Sequence, residues 1–285
     1  MTKILVTGAG GQLGTALLRR GEALGCDIVG FGSGELDITD RAAVEAVVRP
    51  GTVLLNCAAY TAVDAAETDE SAATRVNVDG ARTLAEATAR AGARLVHVST
   101  DYVFGGDATV PYEPDAPTGP RTAYGRTKLA GERAVLAADP TAVVVRTAWV
   151  YTGVGSDFVA TMLRLQRERE FVDVVSDQVG SPTFAGDLAA GLLELAGRDV
   201  PGGVLHATNA GEASWFDLAR AVFGAVGADP ARVRPCGTAD FPRPAPRPAY
   251  SVLSPAAWSA AGLTPLRPWR EALGAALAEV PAACD

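Results

Sequence analysis

The segment KILVTGAGGQLGTAL (3–17) passes from an apolar run into a glycine-rich turn and straight into a helical pattern. No other feature constrains the fold as strongly, because the strand–turn–helix unit then repeats. Further apolar runs occur at DIVGF (27–31), TVLLNC (52–57), RLVHVS (94–99) and AVVVRT (142–147), separated by alanine-rich helical stretches near 13–24, 40–48, 70–91 and 122–138. The runs are continuous rather than alternating, as expected of parallel strands covered on both faces. Repeated strand–helix alternation predicts an α/β fold, a doubly wound Rossmann-type parallel sheet.

After about Thr147 the alternation loosens. Helices are expected near 156–168, 187–196, 214–226 and 268–279, and the proline cluster FPRPAPRPAY (241–250) reads as an extended loop. The expected organisation is a dinucleotide-binding domain over 1–150. A smaller, mainly substrate-binding lobe covers 151–285, with some of its strands and helices returning to the first domain.

With 285 residues, 48% of them hydrophobic, the chain can bury a large core. Its formal net charge of −8 argues against general affinity for nucleic acid or acidic membranes. The start, MTKILVTG, enters a strand at once, so no signal peptide is expected, and no apolar run reaches the roughly 18 residues of a membrane span. Cys26, Cys57, Cys236 and Cys284 show neither CxxC spacing nor a nearby histidine. Reduced thiols, a cytoplasmic location and no metal site are the expectation.

Gly8, Gly11 and Gly14 fall between the first strand and the first helix. Glycines there permit a tight turn and let a pyrophosphate approach the helix N-terminus, so this is where a dinucleotide is expected. Neither an acidic residue nor an arginine stands in VGFGSG (29–34), where the second strand ends. Asp37 in LDITD is the first carboxylate that might meet the adenine or ribose, unless it serves as a helix cap, a role Asp40 also suits. NADH and NADPH are both left open.

Only two of the 25 basic residues, Lys3 and Lys128, are lysines. Lys128 stands four residues after Tyr124 in TAYGRTKLAGERAV, and residues at that spacing share a helix face. An ammonium beside a phenol lowers its pKa from near 10. Lysine is also a compact charge that arginine's broad fork does not replace. The fourth apolar run ends in Ser99, Thr100 and Asp101, beyond a strand's carboxyl end, where such sheets bind ligands. The Thr100 hydroxyl is placed to bond a substrate carbonyl.

Together, the glycine loop, Thr100, Tyr124 and Lys128 resemble an extended short-chain dehydrogenase/reductase. The strings GQLG (11–14), NCAAYTAVDAAE (56–67), STDYVF (99–104), YGRTKLAGE (124–132), RTAWVY (146–151) and DQVGSPT (177–183) resemble the dTDP-4-dehydrorhamnose reductase family. The resemblance implies NAD(P)H-dependent reduction of a dTDP-4-keto-6-deoxyhexose, catalysed by Thr100, Tyr124 and Lys128. It implies that Gly11, Gln12 and Leu13 line the cofactor and that Asp37, Ile38, Ala58, Ala59, Tyr60 and Thr61 surround its nucleotide parts. It also implies that Thr100, Asp101 and Trp149 face the sugar nucleotide. Related dehydratases carry an acidic residue after the Asp; Tyr102 stands there and disfavours elimination. Some members bridge a dimer through magnesium by a Glu early in the first helix. Thr15 and Ala16 stand there, so a monomer or weak dimer without magnesium is expected. The family's Asn before Ser is replaced by Tyr250 in RPAYSVL (247–253), which keeps a sibling 4-ketoreductase making another deoxysugar in play. A non-catalytic, nucleotide-binding regulatory subunit is the remaining alternative.

Other polar residues have plainer readings. His97 and His206 lie inside apolar runs and are read as core histidines. Asp64 and Glu67 suit capping. Arg243 and Arg247 are loop charges, Arg247 with the option of clamping a phosphate. Trp149 is either core filling or an amphipathic ring beside a sugar.

Overall fold

The computed structural model describes residues 2–280. Strands β1 (Ile4–Thr7), β2 (Ile28–Phe31), β3 (Val53–Asn56), β4 (Arg94–Thr100) and β5 (Val143–Thr147) form one sheet with a further strand, Gly203–His206. The order is β2-β1-β3-β4-β5-(203–206) and every pairing is parallel. The first five strands are those predicted; the edge strand comes from the half of the chain where the pattern loosened. Because β1 has β2 on one side and β3 on the other, the winding reverses between β1 and β3. The carboxyl ends of these strands therefore open a crevice at that switch point.

Successive strand residues point to opposite faces. Val6, Leu55, Val96, Val143 and Val145 pack with Leu17 of the helix Gln12–Ala23 and with Leu188 and Leu192 of the helix Ala185–Ala196. Leu5, Leu54, Leu95 and Val144 pack on the other face with Val44, Leu84 and Val135. Each fully buried leucine contributes roughly 1.5–3 kcal/mol. A separate core follows Val150: Tyr151, Val159, Met162, Phe184, Phe223 and Trp269 pack together. The 241–250 segment has no helix or strand of its own, as expected of its prolines. Cys284 lies outside the described residues.

Two helices bear on the site. The single helix expected over 70–91 is instead Glu70–Thr74, a π-helical turn Arg75–Gly80, and Ala81–Ala91. The bulge directs Asn77 out of the ladder: its amide accepts from Tyr60 N (2.8 Å) and donates to Tyr60 O (3.2 Å) and Thr127 Oγ1 (3.0 Å). Such π-bulges often sit at functional sites. The helix Ala123–Ala138 carries Tyr124 and Lys128. Thr122 caps it by accepting from Gly125 N (3.0 Å), and Glu67 Oε1 accepts from Ala123 N (2.8 Å). Two orphan donors of its first turn are thereby satisfied.

Candidate active site

A cleft of about 1300 Å³ opens at the carboxyl edge of the sheet. All the residues assigned from sequence line it: Gly8, Gly11, Gln12, Leu13 and Gly14; Asp37 and Ile38; Ala58, Ala59, Tyr60 and Thr61; Thr100 and Asp101; Tyr124 and Lys128; Trp149; Arg247.

Packing dictates two of the glycines. Gly8 has φ +70°, and a Cβ there would stand 2.6 Å from Ala58 N; at Gly14 a Cβ would stand 2.3 Å from Gly8 O. These contacts draw the loop between β1 and the first helix against the end of β3. Gly11 is the N-cap of that helix, with no side-chain cap and no acidic residue in the first turn. The helix thus presents free N–H groups and positive dipole to the cleft, a fit for a pyrophosphate. Asp37 lines the cleft, but its Oδ1 accepts from Thr39 N (2.9 Å) and Thr39 Oγ1 (2.7 Å). Those bonds hold its carboxyl below the usual range. Asp40, not Asp37, caps the helix Arg41–Val47.

Tyr124 and Lys128 lie one turn apart on one helix, but their electrostatics differ from the expectation. Burial pushes the Tyr124 phenol up to about 12; the Thr100 hydroxyl opposes the shift and the Asp101 charge adds to it. Lys128 does not depress the phenol. Its Nζ donates to Val98 O (2.7 Å), beneath the floor of the cleft. Burial lowers the ammonium to about 8, with the Glu132 charge opposing. Nor do these side chains stand in a solvated cleft. Thr100, Tyr124 and Lys128 are 7%, 9% and 2% exposed, so substitutions there perturb packing as well as chemistry.

The Thr100 hydroxyl donates to Asp101 Oδ1 (2.9 Å) and accepts from Tyr102 N (3.3 Å), so Asp101 sets its direction. Burial raises the Asp101 carboxyl to about 6, with the Ser251 and Thr100 hydroxyls opposing. A carboxyl whose folded pKa exceeds its unfolded value takes up a proton on folding, so stability falls as pH rises from about 4 through 6. Asp101→Asn removes that buried charge. At pH 8 the variant should unfold at higher urea than wild type, by about 2–3 kcal/mol at 1.36 kcal/mol per pKa unit, and the gap should close toward pH 5. An equal gap at both pH values would show that the charge is not the cause.

Trp149 has φ +48°, a strained conformation for a bulky residue, which carries its ring onto Trp215 (centroids 3.5 Å, planes at 4°). It therefore presents a stacked pair rather than a single ring. Arg247 is committed elsewhere: it donates to Asp64 Oδ2 (2.9 Å), and Asp64 Oδ1 accepts from Ala245 N (3.2 Å). The phosphate clamp therefore competes with this ion pair, and Asp64 is a latch for the proline-rich loop rather than a cap. Tyr250 does not line the cleft; its hydroxyl donates to Glu212 Oε2 (2.9 Å). The Asn-to-Tyr departure thus lies beside the sugar site rather than in its wall. His97 and His206 are buried, as read, with His97 Nδ1 2.8 Å from Asn56 Nδ2.

Sequence reasoning missed Gln178 and Trp215, which complete the wall from the second half, and Glu35 and Arg75 near the dinucleotide loop. Glu35 alone had a local signal, its spacing of three from Gly32. It also missed Glu132, buried one turn past Lys128. Among the described residues no group of three or more His, Cys, Asp or Glu could hold a metal ion, and no helix is long and apolar enough to cross a membrane.

A parallel, doubly wound sheet whose carboxyl edge gathers a glycine loop, a strand-end threonine and a Tyr-xxx-Lys helix has the architecture of a short-chain dehydrogenase/reductase. More narrowly, the chain belongs to the family described as RmlD substrate binding domain, which matches residues 1–281. It is 57% identical to dTDP-4-dehydrorhamnose reductase of Mycobacterium tuberculosis over 281 residues, covering 97% of this chain and 92% of that one. It is 52% identical to a probable dTDP-4,6-dihydroxy-2-methyloxan-3-one 4-ketoreductase of Streptomyces antibioticus, covering 98% and 96%. The crystal structure of the Bacillus anthracis dTDP-4-dehydrorhamnose reductase in complex with NADP superposes with a TM-score of 0.93 at 37% identity, covering 98% of this chain and 100% of that one.

Proposed function

We propose that the chain reduces the C4 ketone of a dTDP-4-dehydro-6-deoxyhexose, with dTDP-4-dehydrorhamnose to dTDP-rhamnose as the leading reaction. The observation that carries this reading is the burial of Thr100, Tyr124 and Lys128 in the same cleft as the glycine loop. A reduced nicotinamide dinucleotide, NADPH or NADH, supplies the hydride that forms the new C–H bond at C4. The helix behind Gly11 holds the pyrophosphate, and Asp37, Ile38, Ala58, Ala59, Tyr60 and Thr61 surround the nucleotide. Residues 1–150 carry this half, and 151–285 wall in the sugar nucleotide through Gln178, Trp149 and Trp215. Trp149, which precedes that boundary, packs onto the lobe. Arg247 reaches the diphosphate by exchanging Asp64 for it.

Tyr124 acts as general acid: its O–H bond breaks and the proton passes to the alkoxide oxygen on C4. A phenol held near 12 is fully protonated at neutral pH, which suits reduction. Thr100 orients the carbonyl, and Asp101 aims Thr100. Lys128 supplies positive charge beside the ribose and stabilises the phenolate that Tyr124 leaves. Since the Lys128 ammonium is lowered to about 8, kcat/KM for the dinucleotide, which reports the free enzyme, should fall as pH rises through about 8. A flat profile to pH 10 would remove Lys128 from that role.

The deciding experiment is turnover on a panel of dTDP-4-keto sugars, with C4 stereochemistry read by NMR. Nicotinamide oxidation dependent on such a sugar is the expected result; cofactor binding without turnover would favour a regulatory subunit. The Streptomyces antibioticus relative supports the second reading, a sibling 4-ketoreductase, which a different C4 configuration or preferred sugar would reveal. We further infer a cytoplasmic monomer or weak dimer that uses no magnesium. The free thiols at Cys26, Cys57 and Cys236 suit a reducing compartment. EDTA should change neither activity nor hydrodynamic size.

A further inference from the structure

On the reductase reading above, we infer that Glu35 reads the adenosine ribose and makes NADH, rather than NADPH, the preferred reductant. No acidic residue occupies the end of β2 in the sequence, but the fold brings one there. After Phe31 the chain turns through Gly32, Ser33 and Gly34, with Glu35 N and Leu36 N both donating to Gly32 O at 3.0 Å. The turn swings the Glu35 side chain back over the strand end, where Oε2 accepts from Gly32 N at 2.7 Å. Phe31 O in turn accepts from Ala9 N of the glycine loop at 3.1 Å, which ties the carboxylate's platform to the pyrophosphate cradle. A carboxylate at this point of a doubly wound sheet accepts hydrogen bonds from ribose hydroxyls.

The same geometry disfavours a 2′-phosphate. Gly32 N, a strand-end backbone donor placed to bind such a phosphate, is already taken by Glu35. Glu35 Oε1 accepts no hydrogen bond among the described residues and is left for a neutral hydroxyl. The charged residues lining this end of the cleft are Glu35, Asp37 and Arg75, two negative and one positive. Arg75 acts on Asp37, whose carboxyl it helps hold down, so it is not a free partner for a phosphate. Adding a phosphate dianion beside Glu35 sets like charges together, a means of rejecting the wrong ligand rather than attracting the right one.

Titrating the protein with NADH and with NADPH, followed by nicotinamide fluorescence, tests this without turnover. Wild type should bind NADH at least about 10-fold more tightly. Glu35→Gln keeps an acceptor for Gly32 N but loses the charge. It should tighten NADPH by about 10-fold while changing NADH less than about 3-fold, and Glu35→Lys should invert the preference. Glu35 is exposed, so neither change threatens the core. If wild type binds NADPH as well as NADH, or if both variants keep the wild-type ratio, the inference is overturned while the reductase reading stands. If wild type binds neither nucleotide, both fall together.

Discussion

Tyr124→Phe lowers kcat by roughly 10²–10⁴-fold, the usual contribution of general acid–base catalysis, yet binds the dinucleotide normally and melts close to wild type. The phenyl ring keeps the edge-on contact with Tyr102 (centroids 5.6 Å, planes at 72°), so the loss is of the proton donor and not of packing. Lys128→Arg behaves differently. Lys128 is 2% exposed with its ammonium on Val98 O, and a guanidinium does not fit that pocket. Overpacking of this kind costs about 1–3 kcal/mol, so this variant loses stability and cofactor affinity together with rate. Thr100→Ala loses less rate, because a neutral hydrogen bond is worth about 0.5–1.5 kcal/mol. Steady-state kinetics, dinucleotide titration and melts separate the three. Wild-type kcat in Tyr124→Phe would remove Tyr124 from the chemistry.

What was legible in the sequence was local. Gly8, Gly11 and Gly14 announce themselves because turn, cap and helix follow one another within seven residues. Tyr124 and Lys128 do so because helical spacing fixes their common face. Asn77 could not be found this way: its value comes from a π-bulge set by the close approach of Gly131, whose Cβ would stand 2.0 Å from Asn77 O. Asp64 pairs with Arg247 across 183 residues, and Glu67 reaches Ala123 across 56. The Tyr124 pKa was misjudged for a related reason. Spacing brings the ammonium near in projection, whereas the direction of Nζ and the depth of burial are tertiary facts. The edge strand Gly203–His206 was missed because four residues give no period to read, and only pairing with β5 defines it.

Glu132→Ala should be the most destabilising change near the site. Glu132 follows Lys128 by one helical turn and is bound bidentately by Arg146 (Nε 2.9 Å, Nη2 2.8 Å), with both side chains at most 4% exposed. Arg146 also donates to Pro114 O (3.0 Å) and lies over the Phe104 ring, and the Ser99 hydroxyl donates to Glu132 Oε1 (2.5 Å) beside Thr100. Removing the carboxylate strands a buried guanidinium, a loss of about 3–5 kcal/mol, or roughly 6–20 °C in Tm at about 2–4 °C per kcal/mol. Replacing both partners, Glu132→Met with Arg146→Met, removes both charges and should recover most of that stability. It should not recover the pH profile. The Glu132 charge opposes the burial that lowers Lys128, so without it the ammonium titrates below 8 and the basic limb of kcat/KM moves to lower pH. A double variant as stable as wild type, with its basic limb unmoved, would mean that the ion pair holds the helix and does nothing for Lys128.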